Sequence, residues 1–480
     1  MLELKGRKVL VMGLGLHGGG LGVTRFLLQE GALVTVTDLR EAEDLAPTLR
    51  ALEGESVQYV LGQHRYQDFV HTDMVVRNPA VPLDSPYLEE ARRHGVPIEM
   101  EMTLFFARCL GPLVGVTGTK GKSTTTALLG HLLRQHYADT VVAGNIRVSA
   151  LEALSEIQAT TPVVLELSSW QLEGLGERGM SPRMSVVTNL YPDHLNRYPS
   201  WEAYVQAKKL IYQFQEPEDL LILNAEDTVV RGFAGDARSQ VVWYGTELHR
   251  HGDGLRAGDG KVLPLGAGAA LQVGQEFVWL DASGEQSMVC PRTVFPLPGQ
   301  HNTANALAAL AAAIFFGVAP PQIAAGLASF QGLSDRLEVV RVSGGVTYIN
   351  DTTSTAPVST IVALRALATP IVLIAGGADK ALAYDEWAQV VADRVRAVIL
   401  LEGTATTKIV QALRQVNAAL LMEGPFDDLD TALRCAYQIA RPGDTVLLSP
   451  GCASFGMFRH EFERGQRFRE IVQSLPGGEM

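Results

Sequence analysis

Cysteine is scarce: Cys109, Cys290, Cys435 and Cys452 are the only four in 480 residues. They lie far apart and form no CxxC pair, which argues against a zinc ribbon or a disulfide scaffold. Long hydrophobic runs are missing too. The most apolar stretch, Ala304 to Ala319, contains Asn305 and Gly317 and is too short to span a bilayer. The opening MLELKGRKVLVMGLG runs into a glycine turn and lacks the cleavage pattern of a secretion signal. Positive charge is in deficit: 40 Lys and Arg stand against 52 Asp and Glu, a formal net charge of −12. That balance argues against nucleic acid, whose partners carry a basic footprint. It leaves room for a nucleotide held locally by backbone amides. A cytoplasmic protein without membrane insertion is expected.

At roughly 100–200 residues per domain, the length predicts about three domains. Lys8–Met12 is a short apolar run ending at Gly13 and reads as a buried strand. Leu21 to Gln29 reads as a helix and Leu33 to Thr37 as the next strand, which completes one βαβ unit. The alternation returns at Pro112–Val116, Val163–Leu167 and Met184–Thr188, and again at Pro370–Ile374, Ala397–Leu401 and Asp444–Leu448. Parallel sheets covered by helices follow, an α/β fold. Val241 to Val294 is rich in Gly and in short alternating runs, and reads as an antiparallel excursion. The expected divisions are residues 1–110, 111–334 and 335–480.

The strongest local signal is Gly115-Val-Thr-Gly-Thr-Lys-Gly-Lys-Ser123. A buried strand runs through a glycine turn into a helix. Such turns aim backbone N–H groups at phosphate oxygens. Lys122 would reach the β- and γ-phosphates and Ser123 would hold Mg²⁺. The general phosphate-loop pattern wants glycine where Val116 stands, and here Gly118 supplies it two positions later.

Further motifs occur in a fixed order: TGTKGKST at Thr117 to Thr124, LELSSWQLE at Leu165 to Glu173 and TNLYPDHLNRY at Thr188 to Tyr198. PGQHNTANALAAL follows at Pro298 to Leu310, GLSDRLE at Gly332 to Glu338 and LSPGCASFGMFRHEFERG at Leu448 to Gly465. Together they resemble the Mur ligases, the amide-forming enzymes of peptidoglycan precursor synthesis, over nearly the whole chain. The LELSS-Q-LE and SP-x-CAS elements look most like the branch that adds glutamate to UDP-N-acetylmuramoyl-L-alanine.

The resemblance implies a Rossmann-like N-terminal domain for the UDP substrate, a central ATP-binding domain and a Rossmann-like C-terminal domain for the amino acid. It implies ATP and two Mg²⁺ ions and an acyl-phosphate intermediate; a monomer is expected, and the acidic charge balance already argues against a nucleic-acid partner. Gly118, Thr119, Lys120, Gly121, Lys122, Ser123 and Thr124 would form the ATP loop. Glu166 and His194 would join Ser123 on metal. Lys208 would be carbamylated and bind the second ion. The residues speak for Lys208 on their own as well. Ser200 looks like an N-cap, and Trp201, Val205, Lys208 and Tyr212 then share one helical face. A lysine in an apolar stripe must be paired, chemically changed or snorkelling to solvent.

Asn305 would read the adenine edge; Asn302 either does the same or caps the helix. Arg336 and Asp351 would close over ATP from the third domain, or be surface ion-pair residues. Gly13-x-Gly15-x-x-Gly18 with Asp38 matches a dinucleotide fingerprint; by resemblance Gly15, Leu16 and Asp38 hold UDP rather than NAD. Asn145, Ser168 and Gln171 would contact the muramoyl substrate, although Arg147 stands where glycine is expected. Thr353, Thr355, Lys380 and Ser454 are the amino-acid candidates. Here the chain departs from the pattern: Thr353 occupies a lysine position, and Glu461 occupies a phenylalanine position with Phe462 following. That leaves D- or L-glutamate as the acceptor, D favoured. Folylpolyglutamate synthetase relatives share the ATP loop but begin at the ATPase domain. A non-catalytic nucleotide-sugar binder would have no use for Lys122, Ser123, Glu166, His194 and Lys208 together.

Overall fold

The apolar runs become strands buried on both faces. In the computed structural model, residues 3–15, 19–145, 149–193, 197–367, 370–380 and 382–476 are described. The first five strands are β1 (Lys8–Met12), β2 (Leu33–Asp38), β3 (Val57–Leu61), β4 (Met74–Arg77) and β5 (Ile98–Glu99), in the order β3-β2-β1-β4-β5. All of these pairings are parallel. Val9, Val11, Val34 and Val36 pack with Phe26 and Leu27 of the helix Gly19–Gln29. On the other face Leu10, Met12 and Val75 pack with Phe69 and Leu88. Helices on both faces explain why the strands read as continuous apolar runs rather than alternations.

A second sheet continues with β6 (Leu113–Thr117), β7 (Val141–Gly144), β8 (Val163–Glu166), β9 (Met184–Val187), β10 (Leu220–Asn224) and β11 (Gln240–Gly245). Next, β12 (His249–His251), β13 (Gly254–Arg256) and β14 (Val262–Pro264) form a separate three-stranded antiparallel sheet. The chain then returns to the large sheet with β15 (Gly268–Val273), β16 (Glu276–Asp281) and β17 (Gln286–Pro291). Its order is β17-β16-β15-β11-β10-β9-β6-β8-β7. The antiparallel expectation from Val241 holds for β12–β14 and for β15–β17, but β11 runs parallel to both β10 and β15, so within the large sheet antiparallel pairing begins only at β15–β16. Strand β6 lies between β8 and β9, so the segments leaving all three emerge at one edge. That is where open α/β sheets place ligands.

These two large sheets share one unit, Met1–Phe295 with Ala304–Phe330; a second comprises Pro296–Thr303 with Gln331–Met480. The second unit holds β18 (Glu338–Ser343), β19 (Val346–Asn350), β20 (Ile371–Gly376), β21 (Val395–Leu401), β22 (Leu421–Phe426) and β23 (Thr445–Leu448). They run in the order β18-β19-β23-β20-β21-β22, with β18–β19 antiparallel and the rest parallel. Leu373 and Val398 pack with Trp387 on one face, and Val372 and Ile374 with Leu433 and Phe468 on the other. All four cysteines are free thiols. Among the described residues, no helix is long and apolar enough to cross a membrane.

One buried carboxylate joins the first two sheets. Glu101 Oε1 accepts from Ser149 Oγ at 2.6 Å and from Ala150 N at 3.1 Å. Burial pushes its pKa up to about 7; the two hydrogen bonds pull the other way, and Glu152 adds to the rise. With the native pKa above the unfolded value, this group stabilises the fold most below about pH 4.5, and the contribution is lost as pH rises through 7. Glu101→Gln should therefore shrink the fall in unfolding free energy between pH 5 and pH 8 by about 2–3 kcal/mol. Urea titrations at both pH values measure this; an unchanged slope would mean that Glu101 ionises as an ordinary carboxylate.

Candidate active site

The glycine turn after β6 is shaped by two backbones that L side chains rarely adopt: Gly118 at φ 145° and Gly121 at φ 82°. Strand β9 hands the turn its partners. Thr119 N donates to Asn189 O and Lys120 N to Asn189 Oδ1, both at 2.8 Å, and Asn189 Nδ2 returns a bond to Lys120 O at 3.0 Å. Thr188 Oγ1 donates to the same carbonyl at 2.6 Å. Lys122 Nζ folds over the turn, 3.0 Å from the carbonyls of Gly118 and Thr119. The helix Lys122–Leu133 starts at Gly121 with no side-chain cap. Its first-turn N–H groups, among them those of Ser123 and Thr124, are the donors a phosphate would use.

Asn305 lies against this turn. It is buried and accepts from Thr125 Oγ1 at 3.3 Å, and a Cβ at Gly121 would come within 2.4 Å of its Oδ1. Gly121→Ala would combine that clash with a strained φ. It should weaken ATP binding by at least about tenfold in calorimetry, roughly the effect of 1.4 kcal/mol. Unchanged affinity would show that the turn does not hold the nucleotide. Asn302 does not cap its helix; its Nδ2 donates to Pro298 O at 2.7 Å.

Behind the turn sit two buried ionisable groups. Glu166 ends β8 at 2 % exposure; Asn145 Nδ2 donates to its Oε1 at 2.9 Å, while Oε2 is buried with no hydrogen-bond partner. Lys208, also 2 % exposed, donates from Nζ to Thr117 Oγ1 at 3.0 Å. Burial holds the Lys208 pKa well below the usual lysine value, and Lys122 lowers it further, while Glu166 and Asp193 oppose the shift. Ser200 caps the helix Trp201–Lys209 as the sequence suggests, accepting from Ala203 N at 3.2 Å. Its buried residues are Tyr204, Ala207 and Lys208, with Trp201 and Val205 half-buried. The helix ends at Lys209, so Tyr212 leaves the helical register.

Tyr204 escaped the sequence reading. Its hydroxyl lies 3.1 Å from Thr119 Oγ1, linking the Lys208 helix to the phosphate turn. A position one turn before Lys208 was the available signal. Arg197 was missed as well. Its guanidinium donates to the carbonyls of Pro79, Ala80 and Val81 at 3.2, 3.0 and 3.5 Å. It also faces Glu173 at 3.7 Å and stacks 4.3 Å from the Trp170 ring centre. His194 lies outside the described residues, as do Leu16, Gly18 and Arg147. Among the described residues, no three His, Cys, Asp or Glu side chains cluster around a metal position.

In the first sheet, Asp38 ends β2 and accepts from Gly15 N at 3.2 Å and Arg40 N at 3.0 Å, so it holds the glycine turn in place. Ser168 and Gln171 form a reciprocal cap on the helix Ser169–Glu177, with Ser168 N donating to Gln171 Oε1 at 2.9 Å.

In the second unit, Asp351 is fully buried and accepts from Ser449 Oγ at 2.7 Å and Leu337 N at 3.2 Å. Burial pushes its carboxyl up to about 6; hydrogen bonds from Ser354, Ser449 and Leu337 and the charge of Arg336 oppose the shift. Arg336 is exposed. Thr353 Oγ1 donates to Asp335 O at 2.8 Å, so this hydroxyl secures backbone where a lysine was expected. Lys380 Nζ donates to Thr355 Oγ1 at 2.9 Å, and Ser454 is buried. Arg464 is buried close by, donating to Thr352 Oγ1 and O at 2.9 Å each.

A glycine turn opening a helix, a buried carboxylate with an orphan oxygen and a buried lysine are features that an ATP-dependent synthetase has use for and an oxidoreductase does not. Family models agree: the Mur ligase middle domain matches residues 116–313, the MurD-like N-terminal domain 7–99, and the glutamate ligase domain 335–452. The chain belongs to the Mur ligase family. A curated relative, UDP-N-acetylmuramoylalanine–D-glutamate ligase of Roseiflexus sp., is 52% identical, covering 99% of this chain and 100% of its own. The protein of that name from Symbiobacterium thermophilum is 38% identical, covering 97% of each. Among solved structures, UDP-N-acetylmuramate-alanine ligase from Thermotoga maritima superposes at a TM-score of 0.59 with 20% identity, covering 98% of this chain and 99% of that one. A pseudomurein peptide ligase type C from Methanothermus fervidus gives 0.56 with 19% identity, covering 98% and 100%. These structural likenesses speak for the fold.

Proposed function

We propose that this chain is the ATP-dependent ligase that joins D-glutamate to UDP-N-acetylmuramoyl-L-alanine in peptidoglycan precursor synthesis. The observation that carries the reading is the pair Glu166 and Lys208, both buried behind the phosphate turn. Full-length identity to curated D-glutamate ligases supports the substrates. The domains divide as 1–110 for the UDP substrate, 111–334 for ATP and 335–480 for the amino acid. The enzyme acts as a cytoplasmic monomer.

A carboxylate is a poor electrophile. In the first step a carboxylate oxygen of UDP-N-acetylmuramoyl-L-alanine attacks the γ-phosphorus of ATP, and ADP leaves. In the second the amino group of glutamate attacks the acyl-phosphate carbon; the C–O bond to phosphate breaks and the amine loses a proton. First-turn amides and Lys122 hold the phosphates, and Arg336 supplies a further cation. Asn305 reads adenine, with Asn302 beside it in sequence, and Asp351 takes ribose. Gly15, Asp38 and Asn145, together with Leu16, Ser168 and Gln171, serve the UDP substrate. Thr355, Lys380 and Ser454 serve glutamate, with Thr353 as their support.

The orphan oxygen of Glu166 fits a divalent cation. Ser123, Glu166, His194 and Lys208 as its carbamate would hold two Mg²⁺ ions. Magnesium, when bound, offsets the charge that moves with the phosphoryl group. Lys208 suits carbamylation because burial favours its neutral amine, the form that adds to CO₂ with loss of a proton. The test is phosphate release with ATP, Mg²⁺ and UDP-N-acetylmuramoyl-L-alanine, comparing D-glutamate, L-glutamate and no amino acid. Release with D-glutamate and a product one glutamyl unit heavier supports the reading. Preference for L-glutamate reassigns the acceptor, and no release with either removes glutamate.

A further inference from the structure

Arg336 stands between two residues whose backbones L amino acids avoid. Asp335 has φ 68° and Leu337 φ 43°, the only positive φ values at non-glycine positions among the described residues. Left-handed conformations at such positions persist only where the surroundings over-determine them. Here the surroundings are a set of hydrogen bonds around the turn. Asp335 N donates to Glu338 Oε2 at 2.8 Å, and Leu337 N donates to Asp351 Oδ1 at 3.2 Å. Asn350 Nδ2 reaches Asp335 Oδ1 at 2.9 Å and Glu338 Oε2 at 3.1 Å.

Apart from those neutral donors, the two carboxylates share one cation. Arg469 Nη1 lies 2.8 Å from Asp335 Oδ1 and 2.9 Å from Glu338 Oε2. Arg469 sits on the helix Glu461–Ser474, beyond the stretch matched by the glutamate ligase domain. That helix packs closely on the Asp335 carboxylate: a Cβ on Gly465 would fall 2.0 Å from Asp335 Oδ1. Without the guanidinium, Asp335 and Glu338 would be like charges held by neutral amide donors, with Asp335 buried. Repulsion would push Asp335 out, and the left-handed turn would relax with it.

We propose that Arg469 is a positioning residue for Arg336, holding the strained turn that presents the exposed guanidinium to ATP phosphate. The proposal rests on the ATP role given to Arg336 above. One Nη1 serves both carboxylates, so a lysine ammonium can take over the task.

The test is a double-mutant cycle in the full-length enzyme, with ATP varied and both other substrates saturating. Arg336→Ala should lower kcat/KM for ATP by about a hundredfold. Arg469→Ala should lower it by about tenfold and leave KM for the UDP substrate unchanged; Asp335→Asn should behave likewise, as removal of the other half of the pair. In the Arg336→Ala background Arg469→Ala should add less than about twofold, because both changes act through one group. Arg469→Lys should recover most of the loss, which also covers the case where Arg469→Ala folds poorly. Independent, multiplying effects would overturn the proposal, as would a full-rate Arg469→Ala enzyme or an Arg469→Lys enzyme as impaired as the alanine variant. An Arg336→Ala enzyme with unchanged ATP kinetics would instead remove the ATP role of Arg336, and the positioning proposal with it.

Discussion

Lys208→Ala is expected to lower kcat by about a thousandfold while leaving ATP affinity within about threefold. Lys208 is buried on the helix that Tyr204 ties to the phosphate turn, with its Nζ on Thr117 Oγ1. The attraction of Glu166 and Asp193 for the ammonium is outweighed at that position. Burial penalises it, Lys122 repels it, and its Nζ donates to the neutral Thr117 hydroxyl. A carbamate reverses the sign of the group and can share cations with Glu166. Lys208→Arg keeps the positive charge, cannot be carbamylated, and should be as inactive as the alanine variant. Short carboxylic acids added to Lys208→Ala should restore part of the rate. Intact-mass analysis of the wild type in bicarbonate should show the mass of one added CO₂. Full activity of Lys208→Arg would mean that the lysine acts as a cation.

Glu166→Gln is the second large effect. The substitution keeps size and the bond from Asn145 but removes the charge around the orphan Oε2. A loss of about a hundredfold or more in kcat is expected, with a higher Mg²⁺ concentration needed for half-maximal rate. Stability should move the other way. A buried carboxylate whose second oxygen lacks a partner is costly in the absence of metal, so the amide variant should unfold at equal or higher temperature in EDTA. Wild-type rates at ordinary Mg²⁺ would show that Glu166 is a structural carboxylate only.

Much of the central site was legible because its residues sit in short contiguous motifs with strong local geometry. The strand-turn-helix at Gly115 to Ser123 and the Ser200 cap can be read from neighbours along the chain, and both fall where the sequence puts them. Lys208 is buried where its neighbour Lys209 is half-buried, although the buried stripe runs through Tyr204 and Ala207 rather than through Trp201 and Tyr212. Periodicity gives the angle of a stripe to within one position, and it fails past the helix end. Pairing across the chain was not legible. Nothing local tells β11 that it will lie parallel to β15, because alternation identifies a strand and not its partner. The bonds from Asn189 to the phosphate turn, the grip of Arg197 and the left-handed turn at Asp335 all depend on residues distant in sequence. Thr353 is the instructive case: the missing lysine was visible, but the new job of the hydroxyl became visible only beside Asp335.

The grip of Arg197 on three successive carbonyls has a thermodynamic corollary. Pro79, Ala80 and Val81 follow the strand that ends beside the Gly13 turn, whereas Arg197 leads into the helix of Lys208. Displacing either segment alone means forfeiting those hydrogen bonds. A ligand at the glycine turn that shifts the first segment and a ligand around Lys208 that shifts the second would each work against the same bonds, and any such coupling is reciprocal: whatever factor the first applies to the affinity of the second, the second returns.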